Sequence, residues 1–345
     1  MTDRERSGLR GAVRSSDVED TTYTRQCGAD ACARETEVRV SRTELRIDGA
    51  LERRWQRNAD GREWTTHHEY DAAGRLVATR FEDVDGVSGR RTFEYDSTGR
   101  IGRVLAREGN TGEQIQETYT YDEAGRKTKT IHVDISAQRP DVNYVWGVEN
   151  TDAGYGAPGA ATVTTTYDEH DRPTALLFHD AAGLPLSRVE FRYDDTGNLI
   201  EETQIHEELG LSPKMIEYLN PAQRLAVLEL FGGPQRVHRY DDRSRRIETV
   251  SRMGKLSTER QTTTYNEQGD MAEEVSEQEG QEYGLDEDGG LLAKPDSKKT
   301  TRSECRFRYE YDARGNWTVK TGESRFEAEG EFTVFRIERR VLAYY

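Results

Sequence analysis

The sequence predicts an all-β protein, a meander of β-hairpins forming a curved or spiralling sheet of the partial-shell kind. Three observations carry this. A Tyr-Asp-x-x-Gly turn pattern recurs in eight copies, with Tyr in all eight, Asp in seven and Gly in six; weaker Asp/Asn-x-x-Gly turns fall midway between copies, and aromatic or His residues alternate just before six of them. Internal repetition of this sort is the primary evidence for a repeated supersecondary unit.

The copies begin at Tyr70-Asp71-x-x-Gly74, Tyr95-Asp96-x-x-Gly99 and Tyr121-Asp122-x-x-Gly125. Tyr167-Asp168, Tyr193-Asp194-x-x-Gly197 and Tyr240-Asp241 follow, then Tyr265-Asn266 and Tyr311-Asp312-x-x-Gly315. Between them lie Asn58-x-x-Gly61, Asp83-x-x-Gly86 and Asp180-x-x-Gly183. A turn about every 13 residues leaves strands of about 7–9 residues, close to the spacing of all-β chains. Pairs such as Phe93/Tyr95 and His238/Tyr240 sit two apart, hence on one strand face. The Asp is placed to accept from backbone N–H groups two residues on. The Gly supplies a positive φ, and the following Arg is placed over a neighbouring Tyr ring.

Composition narrows the function. The chain has 345 residues, with 33% hydrophobic and 33% charged, and no run of apolar residues long enough for a membrane helix. Its 17 Tyr, 9 Phe and 4 Trp argue against disorder. A net charge of −16 disfavours nucleic acid and anionic membrane surfaces. Membrane insertion is therefore not expected. The opening residues are polar and lack an apolar signal-type segment.

Residues 1–35 read as a flexible polar leader and 36–345 as the repeat domain, with an irregular insertion at 136–162. That insertion carries Tyr144, Trp146 and Tyr155 among Gly and Pro. Aromatics on a loop held by rigid strands are the candidate binding residues. The alternative is that Trp146 folds back to cover an open sheet edge. The apolar stretch 212–233 reads first as strand, with a helix started at Ser212-Pro213 or at Asn220-Pro221 as the alternative. Residues 277–300 read as a solvated loop.

Chemistry is sparse. No Gly-x-Ser-x-Gly, His-Glu-x-x-His, Rossmann or P-loop signature is present. Asp83-Val84-Asp85-Gly86 does not complete a calcium loop. Cys27 and Cys32 are close enough in sequence to form a small disulfide loop, and Cys305 is left over. No cofactor, metal or catalytic residue is expected, and the chain reads as a non-enzyme.

The Tyr-Asp-x-x-Gly-Arg-Leu pattern at about 25-residue spacing resembles the YD repeat of Rhs proteins, also found in teneurins and in Tc toxin shells. The resemblance implies a spiralling hairpin sheet and a secreted or cell-surface location. It also implies a binding or scaffold role toward a protein or glycan. Two further readings stay open: a shell fragment enclosing a separate polypeptide, and a hydrolase with a carboxylate site on the sheet.

Overall fold

A computed structural model describes residues 2–27, 32–84, 86, 88–109, 112–132, 144–145, 155–157, 159–206, 220–221, 223, 226, 235–285, 291–326 and 330–345. A short helix, α1 (Asp3–Arg6), precedes β1 (Val13–Cys27), β2 (Cys32–Leu45), β3 (Leu51–Arg57), β4 (Glu63–Tyr70), β5 (Leu76–Asp83), β6 (Ser88–Tyr95) and β7 (Ile101–Glu108). Next come β8 (Gln114–Tyr121), β9 (Lys127–His132), β10 (Tyr144–Val145), β11 (Tyr155–Gly156), β12 (Thr162–Tyr167), β13 (Pro173–His179), β14 (Pro185–Tyr193) and β15 (Leu199–His206). The chain continues through β16 (Gln235–Tyr240), β17 (Arg246–Met253), β18 (Ser257–Tyr265), β19 (Met271–Gly280), β20 (Tyr283–Leu285) and β21 (Leu291–Ala293). It ends on β22 (Lys299–Tyr311), β23 (Trp317–Phe326) and β24 (Thr333–Tyr344). The all-β expectation holds. Twenty of the strands belong to one sheet, while β10–β11 and β20–β21 form separate two-stranded pairs.

The chain divides into two compact units. The first comprises residues 1–115, 264–274 and 303–345. In it β1 pairs antiparallel with β2 on one side and with β24 on the other. The second comprises 116–263 and 275–302. In it β9 pairs with β12, and β12 through β18 follow as sequential antiparallel neighbours.

The β1–β24 ladder corrects the expected spiralling or partial-shell sheet. Residues Ser15–Thr22 pair with Arg336–Ala343, so the last strand meets the first instead of ending as a free edge. Within the first unit β1 therefore has a hydrogen-bonded neighbour on each side, β2 and β24. The physical reason is that an unpaired edge exposes a row of backbone donors and acceptors, and pairing the two terminal strands removes it.

The same strand corrects the reading of residues 1–35 as a flexible leader. Val13–Cys27 form β1, and Leu9 and Val13 are buried with Leu45 in a small cluster. The segment had no apolar alternation because Ser, Thr, Asp and Glu fill most of its positions. Its pairing on both sides supplies the order that apolar patterning did not signal. Cys27 and Cys32 stand opposite each other in the register, and their side chains lie outside the described residues.

Two other expectations change. In 212–233 the described residues Pro221, Gln223 and Ala226 are helical, not strand. Asn220 and Gln223 exchange side-chain-to-backbone hydrogen bonds at 2.8 and 2.9 Å, a capping box that starts the helix. Residues 277–300, expected as a solvated loop, contain the end of β19 and the β20–β21 pair.

The turns show why the signature has its residues. The Asp96 Oδ1 accepts from the backbone N–H groups of Thr98 and Arg100, each at 2.9 Å, while Oδ2 accepts from Arg100 Nε at 3.0 Å. Gly99 closes the loop at φ +83° by donating to the Asp96 carbonyl at 3.0 Å. Asp171 and Ser244, which replace Gly in two copies, take the same left-handed conformation at φ 64° and 57°. Adjacent hairpins are tied by the Tyr and the Arg. Tyr95 donates to the Leu76 carbonyl at 2.8 Å, and the Arg75 guanidinium lies 4.7 Å over the Tyr95 ring. Arg172 over Tyr193 repeats this geometry at 4.7 Å, and Tyr193 donates to the Pro173 carbonyl at 2.9 Å.

Candidate functional site

The second unit grades from apolar to polar across one sheet face. Val163, Leu176, Phe178, Val189 and Phe191 are buried on β12–β14 and form its core. Further along, the same face becomes charged. Cross-strand neighbours run Phe191, Glu202, Arg236, Ser251 and Glu259 across β14 to β18. Alternation places all five on one side of the sheet. His238, Thr249 and Gln261 form the adjacent row.

Residues 155–157 and 159–161, from the irregular insertion, lie against the apolar half. Tyr155, Ala157 and Ala160 are buried in the core, and the Tyr155 ring meets Phe191 edge-on at 6.0 Å. Its hydroxyl then reaches the polar half and donates to Glu202 Oε2. The other carboxylate oxygen, Oε1, lies 2.7 Å from His238 Nε2, and His238 Nδ1 lies 3.0 Å from Thr249 Oγ1. Glu202 is 2% exposed and His238 4%. A buried carboxylate persists only when its oxygens are satisfied, and here both are. Burial, then the Glu202 charge, pushes the Tyr155 phenol far above its ordinary range, so it remains a hydrogen-bond donor.

Beside this network a cavity of about 480 Å³ opens, lined by Arg236, Arg246, Arg252, Glu259, Gln261, Gln278 and the Glu202–His238 pair. Arg236 stands out within it. Its guanidinium lies 5.8 Å from the Tyr155 ring centroid and donates weakly to the Tyr155 hydroxyl at 3.5 Å. Glu202, its cross-strand neighbour, is already committed to Tyr155 and His238. The arrangement offers a guanidinium and several amide and hydroxyl groups to a hydrophilic anion. Among the described residues no group of three His, Cys, Asp or Glu is positioned to hold a metal ion.

The sequence-expected site residues are distributed as follows. Tyr155 is fully buried under the sheet-covering segment and holds Glu202. Tyr144 and Val145 pair with Gly156 and Tyr155 in a short ladder, and the Tyr144 side chain is outside the described residues. Trp146 also lies outside them. Tyr70, Tyr95, Tyr193 and Tyr311 are half-buried at strand ends; Asp71, Asp96, Asp122, Asp194 and Asp312 anchor turns. Gly74, Gly99, Gly125, Gly197 and Gly315 all have φ between 78° and 89°. Tyr121, the remaining aromatic of these turns, ends β8 opposite Lys127. Glu202, Arg236 and His238 were not singled out as a group. Glu202 is one of 65 carboxylates, and only the strand register brings it to residues 34 and 36 positions later.

No family model matches the chain, and no curated protein matches it. Solved structures with similar strand arrangement include a porin-like protein from Bacteroides uniformis, at TM-score 0.33 and 9% identity, covering 96% of this chain and 98% of that one. A Salmonella typhi OmpF complex with daunomycin matches at TM-score 0.25 and 8% identity, covering 96% of each chain. TcdB2-TccC3 matches at TM-score 0.24 and 16% identity, over 92% of this chain and 19% of that one. Likenesses this distant carry no functional argument.

The reading drawn from the turn signature is corrected: no family model matches, and β24 pairs with β1 where a spiralling sheet would leave a free edge, so membership in the YD/Rhs repeat family is withdrawn. The scaffold role toward a protein or glycan, and the shell-fragment and hydrolase alternatives, go with it. The exclusion of membrane insertion is withdrawn too. No helix is long and apolar enough to cross a membrane, a criterion that does not address strands. The turn signature is a local solution to hairpin geometry, and local geometry did not fix how the sheet ends.

Proposed function

We propose that this is a non-enzymatic, solute-carrying protein of the transport type, and that the cavity beside Glu202 and His238 takes a small hydrophilic anion. The observation that carries the reading is Arg236, a half-buried guanidinium lining an open cavity with no carboxylate paired to it among the described residues. Guanidinium groups in such settings bind carboxylate and phosphate oxygens through charge-assisted hydrogen bonds. The surrounding Ser251, Gln261 and Gln278 add neutral donors, which suit reversible capture of a hydrated solute.

Calorimetric titration with citrate tests this. The wild type is expected to bind, and Arg236→Gln to bind at least about ten-fold more weakly with an unchanged melting temperature. Equal binding by the two proteins, or none by the wild type, contradicts the proposal.

A further inference from the structure

The first unit contains a separate cavity of about 520 Å³ between β1, β2, β3, β4, β23 and β24. Its charged lining is four guanidiniums, Arg39, Arg57, Arg336 and Arg340, against two carboxylates, Asp20 and Glu338. Both carboxylates are already occupied. Arg336 grips Asp20 through two hydrogen bonds of 2.8 and 2.9 Å and also reaches Glu338 at 3.2 Å. Lys320 adds a second contact to Glu338 at 3.4 Å.

Arg340 is different. Its guanidinium carbon sits 3.4 Å over the Trp317 ring, and its Nε and Nη1 are buried with no hydrogen-bond partner. Among the described residues no carboxylate forms an ion pair with it. A buried guanidinium lacking a counter-charge is unfavourable unless something else supplies one. Burial accordingly pulls its pKa down from 12.5 to about 10, so it stays charged at neutral pH. The cavity wall supplies the rest of a recognition surface. Trp64 and Trp317 both line it, and Trp64 Nε1 donates to Gln56 Oε1, a neighbour in the same lining, at 2.9 Å.

We propose that this cavity is a binding site for a small planar carboxylate, whose anionic group pairs with Arg340 and whose apolar body lies against the two indoles. A carboxylate fits better than inorganic phosphate because the aromatic walls reward a flat apolar body, which phosphate lacks. The site stands on residues of the first unit alone and is independent of the Arg236 cavity.

The test is titration of the full chain with benzoate, followed by calorimetry and by thermal melting, with benzamide and inorganic phosphate as controls. Benzoate is expected to bind and to raise the melting temperature of the wild type as its concentration increases. Arg340→Lys, which keeps the charge but not the planar group, should bind at least about ten-fold more weakly. Arg340→Met should lose benzoate binding while melting at the wild-type temperature or above, since it removes an unpaired buried charge. That second readout separates a lost site from a lost fold. Wild-type melting unmoved by benzoate, equal binding by Arg340→Met, or benzamide or phosphate binding as tightly as benzoate would each overturn the proposal.

Discussion

At the scale of single residues, the turns carry the clearest physics. Gly99 sits at φ +83° with only the Arg75 guanidinium nearby, so a β-branched side chain there meets backbone strain more than crowding. Gly99→Val is expected to destabilise the protein by about 1 kcal/mol or more, read as a lower urea midpoint. Asp194 gives a pH signature. Hydrogen bonds from Asn198 and Thr196 to its carboxylate lower its pKa from 3.8 to about 2. A carboxylate with a depressed folded pKa contributes its full stabilisation above the unfolded value, and loses it as pH falls through the folded one. Melting temperature should therefore be insensitive to Asp194 protonation above about pH 4 and decline between about pH 4 and 2. Asp194→Asn should flatten that part of the decline. An unchanged acid limb in the variant would show that the turn carboxylate is not linked to folding. Asp71, Asp122, Asp241 and Asp312 are lowered in the same direction, which makes acid sensitivity a property of the repeated turn.

At the scale of elements, the strands joined by short turns were legible and the long-range partners were not. Asp96, Gly99 and Arg100 interact within five residues, so their chemistry is written in adjacent letters. β1 was missed because Ser15–Thr24 carries almost no apolar alternation and its order comes from β2 and β24. The Glu202–His238 pair was missed because its register is set where β16 comes alongside β15. The Tyr-to-Tyr rhythm did predict strands on both sides of it. What it could not show was that Tyr155, read as a recognition aromatic, lies buried with its hydroxyl on Glu202. Disrupting that network gives an element-scale prediction. Glu202→Leu strands the Tyr155 hydroxyl and His238 without their acceptor and should cost about 3–5 kcal/mol. Adding His238→Leu should recover part of the loss, because the second orphaned group is removed as well. Chemical denaturation of the single and double variants measures both. A double variant no more stable than Glu202→Leu would mean that His238 is not energetically coupled to the carboxylate.

At the scale of the whole molecule, the chain has few apolar residues for its length and relies on its backbone ladder. Hydrophobic residues make up 33% of it, and the chain carries a net charge of −16. Many strand faces are covered by cross-strand charge pairs instead of apolar contacts. Arg103–Glu94 at 2.7 Å joins neighbouring strands, and Arg90–Glu69 at 2.9 Å reaches across β5 from β6 to β4. Exposed pairs of this kind contribute little individually, about 0–1 kcal/mol each. A sheet built this way gains most from leaving no strand end unpaired, which gives the β1–β24 ladder its weight. Amide hydrogen exchange resolved to single residues over Thr333–Tyr344 tests that ladder most directly. In an antiparallel strand alternate N–H groups point to opposite neighbours. If β24 pairs with both β23 and β1, the two alternating sets of amides between Arg336 and Arg339 should be slow to exchange alike. If every second amide there exchanges at the rate of an open strand edge while its neighbours stay protected, β24 is an edge strand and the β1–β24 ladder is absent.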